Sequence, residues 1–211
     1  MRALDHAVEL MYHPLASEIP TKRLCLEAIR DLFTYLPQSK FNPDDAQIRT
    51  KLFLACYASL FPFLFSGGVG LSHSIGHAIG ATYAIPHGIT SCLSLAPVVR
   101  LKASDPIEAK QIARIIPYIN KQSTGDNSED AQVVADAIAD LVEELGLKTT
   151  LTTVSFSHSL IRRKTDIMQY NVPTGEEEED AIASRALHSN KDHKDFADCK
   201  GSRQLHQESD D

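Results

Sequence analysis

Three histidines, His73, His77 and His87, lie in one short segment of the chain. If the first part of this segment is helical, His73 and His77 are four residues apart and lie on one face of the helix. Pro86 is poorly suited to continue that helix, so a turn there can bring His87 back towards the other two. Imidazoles grouped in this way can bind a metal, position a substrate or transfer a proton. Spacing alone does not separate a functional site from histidines buried in a core, because the segment has neither an HExxH motif nor a paired CxxC motif.

The segment as a whole is more specific than its spacing. It resembles the histidine motif of the iron-containing alcohol dehydrogenase family, including its maleylacetate reductase branch, in which Gly-x-x-His-x-x-x-His is followed by Pro-His-Gly. Here the motif reads Gly70-Leu-Ser-His73-Ser-Ile-Gly-His77, followed by Pro86-His87-Gly88. The first residues, Arg2-Ala-Leu-Asp5-His6-Ala-Val-Glu9, look like the family's helix with the pattern Asp-x-x-x-His-Ala-x-Glu. The resemblance implies an NAD(P)-dependent oxidoreductase that interconverts an alcohol and a carbonyl compound or reduces maleylacetate.

The resemblance also implies a divalent metal, iron or zinc, held by one aspartate and three histidines. Position by position, it assigns His6, His73 and His87 as the histidine ligands and places Arg2 where the aspartate should be. Arginine has no lone pair for a metal and stays protonated, so Arg2 cannot be the fourth ligand and repels a divalent cation. Asp5 is not expected to replace the aspartate, because adjacent residues of a helix do not share a face.

Two interpretations of Arg2 follow, and both place its guanidinium on the helix face that carries His6. In the first, three neutral imidazoles still hold iron or zinc and leave one coordination position open. In the second, the metal is absent and Arg2 supplies the positive charge, which binds a substrate carboxylate or a developing oxyanion. The second is slightly favoured, because the resemblance suggests that maleylacetate reductases also replace the aspartate. His77 matches the family's non-ligand histidine and is predicted to relay a proton or to position the substrate.

The hydrophobic periodicity predicts a series of helices, the first two at residues 1–11 and 21–36. Asn42 is predicted to cap the next helix, with Pro43 at its first position. The same pattern recurs at Ser104-Asp105-Pro106, which is predicted to open a helix that runs towards Ile116.

Asn127 or Ser128 is predicted to open a further helix, which Gly146 closes. No strand-like alternation stands out in the sequence. These patterns predict an all-α fold, a multi-helix bundle, and this agrees with the helical C-terminal domain of the family, which is dehydroquinate synthase-like.

The sequence suggests four regions along the chain. Residues 1–150 are predicted to form the helical domain that holds metal and substrate. Residues 151–169 are an atypical insertion, for which translation of a retained intron is one hypothesis. Residues 170–190 look like a remnant of the family's terminal helix region, and the polar tail at 191–211 is predicted to be partly disordered. The nucleotide-binding domain, which in the family precedes these regions, is expected to be absent from this chain, and Gly67-Gly68-Val69-Gly70 lacks the third glycine of a dinucleotide-binding loop.

Composition narrows the classes of function. The chain has 211 residues, of which 43% are hydrophobic, so it can bury a sizeable core. A net charge of −7 argues against nucleic acid as a partner, and the longest apolar stretch is short and interrupted for a membrane span. Four widely spaced cysteines favour reduced thiols and a cytoplasmic location. The expected partners are a small-molecule alcohol, aldehyde or keto-acid substrate and, by family analogy, a second copy of the chain in a homo-oligomer.

A different class of function is a catalytically inactive helical domain, either a gene fragment or a pseudoenzyme that lacks the cofactor domain. Arg2, the missing nucleotide domain and the insertion after residue 150 favour this alternative. A metal-assisted hydrolase has little support, because the histidines have no carboxylate base at a diagnostic spacing.

Overall fold

The computed structural model describes residues 1–62 and 70–154, and within these ranges the chain forms α-helices and turns but no strand. The helices are α1 (Arg2–Tyr12), α2 (Arg23–Phe41), α3 (Ala46–Leu60), α4 (Leu71–Tyr83), α5 (His87–Lys102), α6 (Pro106–Ala113) and α7 (Asn127–Glu144). A π turn at Glu18–Lys22 precedes α2, and a 3-10 turn at Ile116–Ile119 follows α6. The predicted all-α fold is confirmed.

Helix α6 begins as the sequence predicts. The Asp105 carboxylate accepts hydrogen bonds from the backbone N–H groups of Ile107 at 2.8 Å and Glu108 at 3.0 Å, with Pro106 at the first helical position. These contacts satisfy two of the N–H groups that have no partner inside the helix. Helix α7 also begins at Asn127 as predicted, although the residue that caps it is the preceding aspartate.

The predicted start of α3 is wrong by several residues. Asp45, and not Asn42, caps this helix, because its carboxylate accepts hydrogen bonds from the N–H groups of Gln47 at 2.8 Å and Ile48 at 3.1 Å. Pro43 lies in the turn before the helix. The predicted end of α2 is also too early, since the helix continues through Pro37 to Phe41.

Helix α1 is the element around which the others are arranged, and it contacts each of α2 to α6. Its apolar residues Leu4, Val8 and Met11 are fully buried. They share one hydrophobic core with residues such as Ile29 of α2 and Ile138 of α7. The polar residues Asp5, His6 and Glu9 of α1 are buried as well, whereas Arg2 is exposed. Burial of a polar group is costly unless the group is hydrogen-bonded or paired, so the contacts of these residues identify where the polar interior of the domain lies.

The rest of the predicted insertion, the terminal helix remnant and the polar tail lie outside the described residues, and those predictions stay predictions. None of the helices in the described ranges combines the length and apolar character needed to cross a membrane. The thiols of Cys25, Cys56 and Cys92 are free, and Cys199 lies outside the described residues.

Candidate functional site

Four histidines from three helices pack together, with His73 at the centre, and form what we call the histidine cluster. His6 comes from α1, His73 and His77 come from α4, and His87 is the first residue of α5. The rings of His6 and His73 are stacked with their centroids 4.5 Å apart. The rings of His87 and His77 lie edge-on to His73 at 5.2 and 6.3 Å and are 5.1 Å from each other. The structure therefore brings together all four histidines that the sequence singles out.

A tight reversal between α4 and α5 returns His87 to the cluster. Helix α4 ends at Ala84, which has a left-handed backbone with φ of 53°, and Pro86 then caps α5. The two helices pack closely, because a side chain at Gly76 would meet Thr90 Oγ1 at 2.9 Å. The Pro-His-Gly turn thus has the role that its sequence predicts.

The Glu9 carboxylate of α1 binds the start of α4. Its oxygens accept hydrogen bonds from the backbone N–H groups of Gly70 at 3.0 Å, Ser72 at 2.6 Å and His73 at 3.4 Å. The first N–H groups of a helix have no partner within it, and the helix dipole favours a negative charge at that end. Glu9 therefore fixes α4, and with it two histidines of the cluster, against the helix that carries His6.

The same carboxylate orients the ring of His73. Glu9 Oε2 lies 2.8 Å from His73 Nδ1, and Asp5 Oδ1 lies 3.5 Å from the same nitrogen. Burial alone would lower the pKa of His73, but the hydrogen bond to Glu9 and the charges of Asp5 and Glu9 outweigh it and shift the pKa upward. Because Nδ1 faces carboxylates, Nε2 is left to face the cluster, where it is buried and has no hydrogen-bond partner among the described residues. A buried imidazole nitrogen without a hydrogen-bond partner is suited to contact a bound metal ion or substrate.

Asp5 is completely buried beside this pair. Neither of its carboxylate oxygens has a hydrogen-bond partner among the described residues. Burial raises the pKa of Asp5 to about 6 and the charge of Glu9 adds to the rise, while His73 opposes it. Asp5 and His6 are adjacent in α1, and both reach the His73 ring. Asp5 does so at Nδ1, however, and is not placed to replace a ligand at Nε2.

Arg2 places a positive charge at the edge of the cluster. Its side chain is exposed, it forms no ion pair or hydrogen bond with the described residues, and it lines a cavity of about 270 Å³ together with His6, Cys56 and Leu60. Burial lowers the pKa of His6 to about 4, and the charges of His73 and Arg2 contribute. The pKa of His87 is lowered by burial and then by the same two charges. His6 and His87 are therefore neutral imidazoles at neutral pH.

A second cavity borders the opposite members of the cluster. It has a volume of about 220 Å³ and is lined by His77 and His87 with Gly76, Gly80 and other small or apolar residues. The ring of His73 contacts that of His6, which lines the first cavity, and those of His77 and His87, which line the second.

The residues present do not fit a divalent ion well. In the described ranges, one group of three side chains has possible ligand atoms within 4.8 Å of one another. It consists of Asp5, Glu9 and His73. Glu9 is already committed to the N–H groups of α4, so this set is an internal network. The partnerless Nε2 of His73 fits a metal ligand, but the guanidinium of Arg2 adds a positive charge where a cation site needs a negative one. The assignment of His6, His73 and His87 as ligands stays a prediction.

Sequence reasoning missed the role of Glu9. The residue belongs to the quoted motif Asp5-His6-Ala-Val-Glu9, and its position four residues after Asp5 places both carboxylates on one face of α1. This spacing was the available signal. The start of α4, which Glu9 caps, is distant in sequence and could not be inferred from α1 alone.

Replacement of Gly70 by alanine is expected to destabilise the folded chain by about 1–3 kcal/mol, the usual cost of overpacking. A side chain at this position would overlap the Glu9 carboxylate, and that carboxylate cannot move away without losing its contacts with α4. Urea unfolding followed by circular dichroism measures the effect.

Gly88→Ala is the matched control, because no atom lies within 4 Å of the added methyl group. It should change the free energy of unfolding by less than about 0.5 kcal/mol or stabilise α5 slightly. Equal stabilities of the two variants would contradict the close approach of Glu9 to Gly70.

Comparison with known proteins gives a consistent result. A family model described as "Fe-containing alcohol dehydrogenase family, C-terminal" matches residues 1–201. The chain is 36% identical over 116 residues to 1-propanol dehydrogenase PduQ of Salmonella typhimurium, covering 54% of the chain and 30% of that protein. It is 29% identical over 174 residues to an NADPH-dependent butanol dehydrogenase of Clostridium saccharobutylicum, covering 80% of the chain and 42% of that protein.

Solved structures show the same likeness. A 1,3-propanediol oxidoreductase superposes with a TM-score of 0.67 at 26% identity, over 73% of this chain and 40% of that one. An alcohol dehydrogenase from Oenococcus oeni superposes with a TM-score of 0.66 at 25% identity, over 73% of this chain and 39% of that one. The chain therefore spans less than half the length of these relatives.

Proposed function

The chain belongs to the iron-containing alcohol dehydrogenase family, and from this premise we propose that it supplies the substrate-facing half of a site that interconverts an alcohol and a carbonyl compound. The observation that carries the proposal is the histidine cluster, in which neutral imidazoles surround the partnerless Nε2 of His73. Relatives named for dehydrogenation of 1-propanol, methanol and butanol support a small alcohol or aldehyde as the substrate. Reduction of maleylacetate is the narrower form of the proposal and is favoured by the loss of the ligand aspartate at Arg2.

In this proposal the chain's residues bind the substrate and transfer its hydroxyl proton. His77 borders the cavity that also contains His87, and its imidazole is suited to hold or release the hydroxyl proton. Glu9 holds His73 in one orientation, and a fixed ring positions a substrate oxygen more precisely than a mobile one. A nicotinamide cofactor, NAD or NADP, would supply or accept the hydride. No described residue is assigned to its binding.

Arg2 takes the place of the metal in this scheme. The oxygen of a carbonyl group becomes negative during hydride transfer, and a positive charge near the cluster stabilises negative charge on the substrate. Three imidazoles beside a guanidinium do not favour a divalent ion, so no step is assigned to one. A homo-oligomer and a cytoplasmic location remain predictions from the sequence.

The test is turnover of 1-propanol, or reduction of propanal, by a full-length protein in which this chain is reconstituted with a nucleotide-binding domain, with NAD or NADP, followed as NAD(P)H absorbance. We expect His87→Ala to lower kcat/KM by at least about tenfold, the scale on which loss of a positioned catalytic group acts. His13→Ala is the control, because His13 lies at the end of α1 outside the cluster and, within residues 1–62 and 70–154, its ring accepts one hydrogen bond, from the neighbouring Leu15 N–H.

Equal losses in the two variants, or none in either, would remove His87 from the site. A folded wild-type chain that turns over neither substrate with either cofactor would support the catalytically inactive domain instead. Circular dichroism of each variant separates a loss of activity from a loss of fold.

A further inference from the structure

We infer that Thr90 is a positioning residue of the site: its hydroxyl fixes the His87 ring with the proton on Nδ1, which leaves Nε2 as an acceptor for the hydroxyl hydrogen of the substrate. The inference deepens the proposed function and rests on it for what Nε2 accepts. The position of the ring proton is argued from the contacts of Thr90 and can be measured without a substrate.

The Thr90 hydroxyl contacts two groups of His87. Thr90 is completely buried and lies three residues after His87 in α5. A threonine in a helix commonly donates its hydroxyl proton to a backbone carbonyl three or four residues earlier. Here Thr90 Oγ1 donates to the His87 carbonyl oxygen at 2.8 Å. Thr90 Oγ1 also lies 3.2 Å from His87 Nδ1, so one oxygen atom contacts both the backbone and the ring of the same histidine.

The number of protons in these two contacts decides the tautomer of His87. A hydroxyl has one proton and two lone pairs. Because the Thr90 proton is donated to the carbonyl oxygen, Oγ1 faces Nδ1 with a lone pair. Two lone pairs do not form a hydrogen bond, so the contact between Oγ1 and Nδ1 requires a proton on Nδ1. A neutral imidazole has a single N–H group, and its Nε2 is then an acceptor.

Ser91 creates a competing arrangement of these protons. Its Oγ also donates to the His87 carbonyl oxygen, at 3.2 Å. If Ser91 alone donated to that carbonyl, Thr90 would be free to donate to Nδ1, and the ring would carry its proton on Nε2. The distances favour the first arrangement, because the contact of Thr90 with the carbonyl is the shortest of the three. A carbonyl oxygen has two lone pairs, so both hydroxyls can donate to it at once.

Helix α4 packs against the pair of Thr90 and His87. A Cβ atom at Gly76 would lie 2.9 Å from Thr90 Oγ1 and 3.8 Å from His87 Nδ1, so the backbone of α4 approaches both atoms closely. Because Thr90 is buried there, its hydroxyl has to find hydrogen-bond partners within the protein. It finds them on His87, and the ring is held at its Nδ1 edge.

The His87 ring therefore has one nitrogen left for a ligand. Within the described residues the hydrogen bond of this ring is made at Nδ1, and the ring lines the cavity of about 220 Å³ together with His77. His73 is oriented in the same manner, since Glu9 holds its Nδ1 at 2.8 Å and its Nε2 has no partner among the described residues. A hydroxyl donates one hydrogen bond, so an acceptor nitrogen in a fixed position orients an alcohol for reaction.

Nuclear magnetic resonance of the histidine rings tests the position of the proton. The ¹⁵N-labelled chain is measured at about pH 8.5, roughly two units above the ordinary pKa of histidine, where an ordinary imidazole is neutral. Long-range correlations between ring protons and ring nitrogens distinguish a nitrogen that carries a proton from one that does not. The spectrum of His87→Asn identifies the His87 signals. We expect the wild type to have a protonated Nδ1 and an unprotonated Nε2 at His87.

Thr90→Val keeps the branched shape of the side chain and removes the hydroxyl, so Nδ1 loses its acceptor. We expect the ratio of Nδ1-protonated to Nε2-protonated His87 to fall by about tenfold, the equivalent of one hydrogen bond. Thr90→Ser keeps the hydroxyl and should retain the wild-type tautomer. Thr34→Val is the matched control, because it makes the same exchange in α2, where the hydroxyl donates to the Arg30 carbonyl at 2.8 Å. It should leave the His87 signals unchanged.

In the reconstituted full-length protein, Thr90→Val should lower kcat/KM for 1-propanol by about 10–100-fold, the scale on which loss of a group that orients an imidazole acts. Thr90→Ser should recover most of this loss, whereas a purely steric role of Thr90 predicts that serine does worse than valine. Thr34→Val should turn over 1-propanol as the wild type does.

A wild-type His87 that carries its proton on Nε2 would overturn the inference, and this result does not depend on the folding of any Thr90 variant. A Thr90→Val spectrum equal to that of the wild type, or a Thr90→Ser spectrum equal to that of Thr90→Val, would also overturn it. A tautomer that depends on Thr90 in a protein without alcohol turnover would refute the proposed function and leave the position of the ring proton standing. Turnover that His87→Ala lowers and Thr90→Val leaves unchanged would support the proposed function and remove Thr90 from it.

Discussion

Replacement of Glu9 by alanine is expected to reduce the free energy of unfolding by about 3–5 kcal/mol, the cost of removing one partner from a buried charged network. Glu9 accepts hydrogen bonds from the N–H groups of Gly70, Ser72 and His73, from the His73 ring and, at 3.3 Å, from the Tyr12 hydroxyl. Alanine leaves these donors buried without an acceptor, and each such group costs about 1–3 kcal/mol. It also removes the negative charge from the positive end of α4.

Urea unfolding of the full chain measures this loss, with two control variants. Glu9→Gln keeps an oxygen acceptor and loses the charge, so it should cost less than alanine. Glu143→Ala removes an exposed glutamate of α7 that pairs with Lys148, and exposed pairs contribute about 0–1 kcal/mol. A Glu9→Ala variant as stable as Glu143→Ala would show that the carboxylate does not hold α4 in place.

Local sequence signals account for most of the fold. An aspartate before a proline at 105–106 predicts the start of α6, because both the cap and the fixed proline backbone act within a few residues. The same reasoning fails at Asn42, where two later aspartates compete for the cap and Asp45 has the geometry to bind two N–H groups. The hydrophobic periodicity predicts that α2 ends at residue 36, but the helix continues through Pro37 to Phe41, so the usual preference of the residue before proline for an extended backbone does not end it.

The candidate site also combines local features that the sequence predicts with long-range contacts that it does not. The i, i+4 spacing of His73 and His77 and the proline turn before His87 are local, and the sequence predicts that these three residues meet. The contact of Glu9 with α4 joins residues 61 to 64 positions apart, and no local pattern fixes it. The sequence also identifies Arg2 as the unusual residue, but only the fold shows that Arg2 lines one cavity and that His77 and His87 line another.

Replacement of Arg2 by aspartate is expected to convert the histidine cluster into a metal site, with an increase of at least about a hundredfold in affinity for Zn²⁺ or Co²⁺. The change removes a positive charge that repels a divalent ion. It also adds a negatively charged carboxylate ligand on the helix face that carries His6, so both effects favour metal binding. The partnerless Nε2 of His73 is already buried and oriented by Glu9, as a ligand nitrogen is in metal proteins.

Competition with a chromophoric chelator measures the affinity, and Arg2→Gln is the matched variant that removes the charge without adding a ligand. The glutamine variant should fall between the wild type and the aspartate variant. Adding His87→Ala to Arg2→Asp should abolish the gain if His87 is one of the ligands. If Arg2→Asp binds metal no better than the wild type, the position of Arg2 is not a ligand position and the assignment of His6, His73 and His87 to a metal loses its basis. If the wild type already binds Zn²⁺ as tightly as the aspartate variant, three imidazoles suffice and Arg2 does not replace the metal.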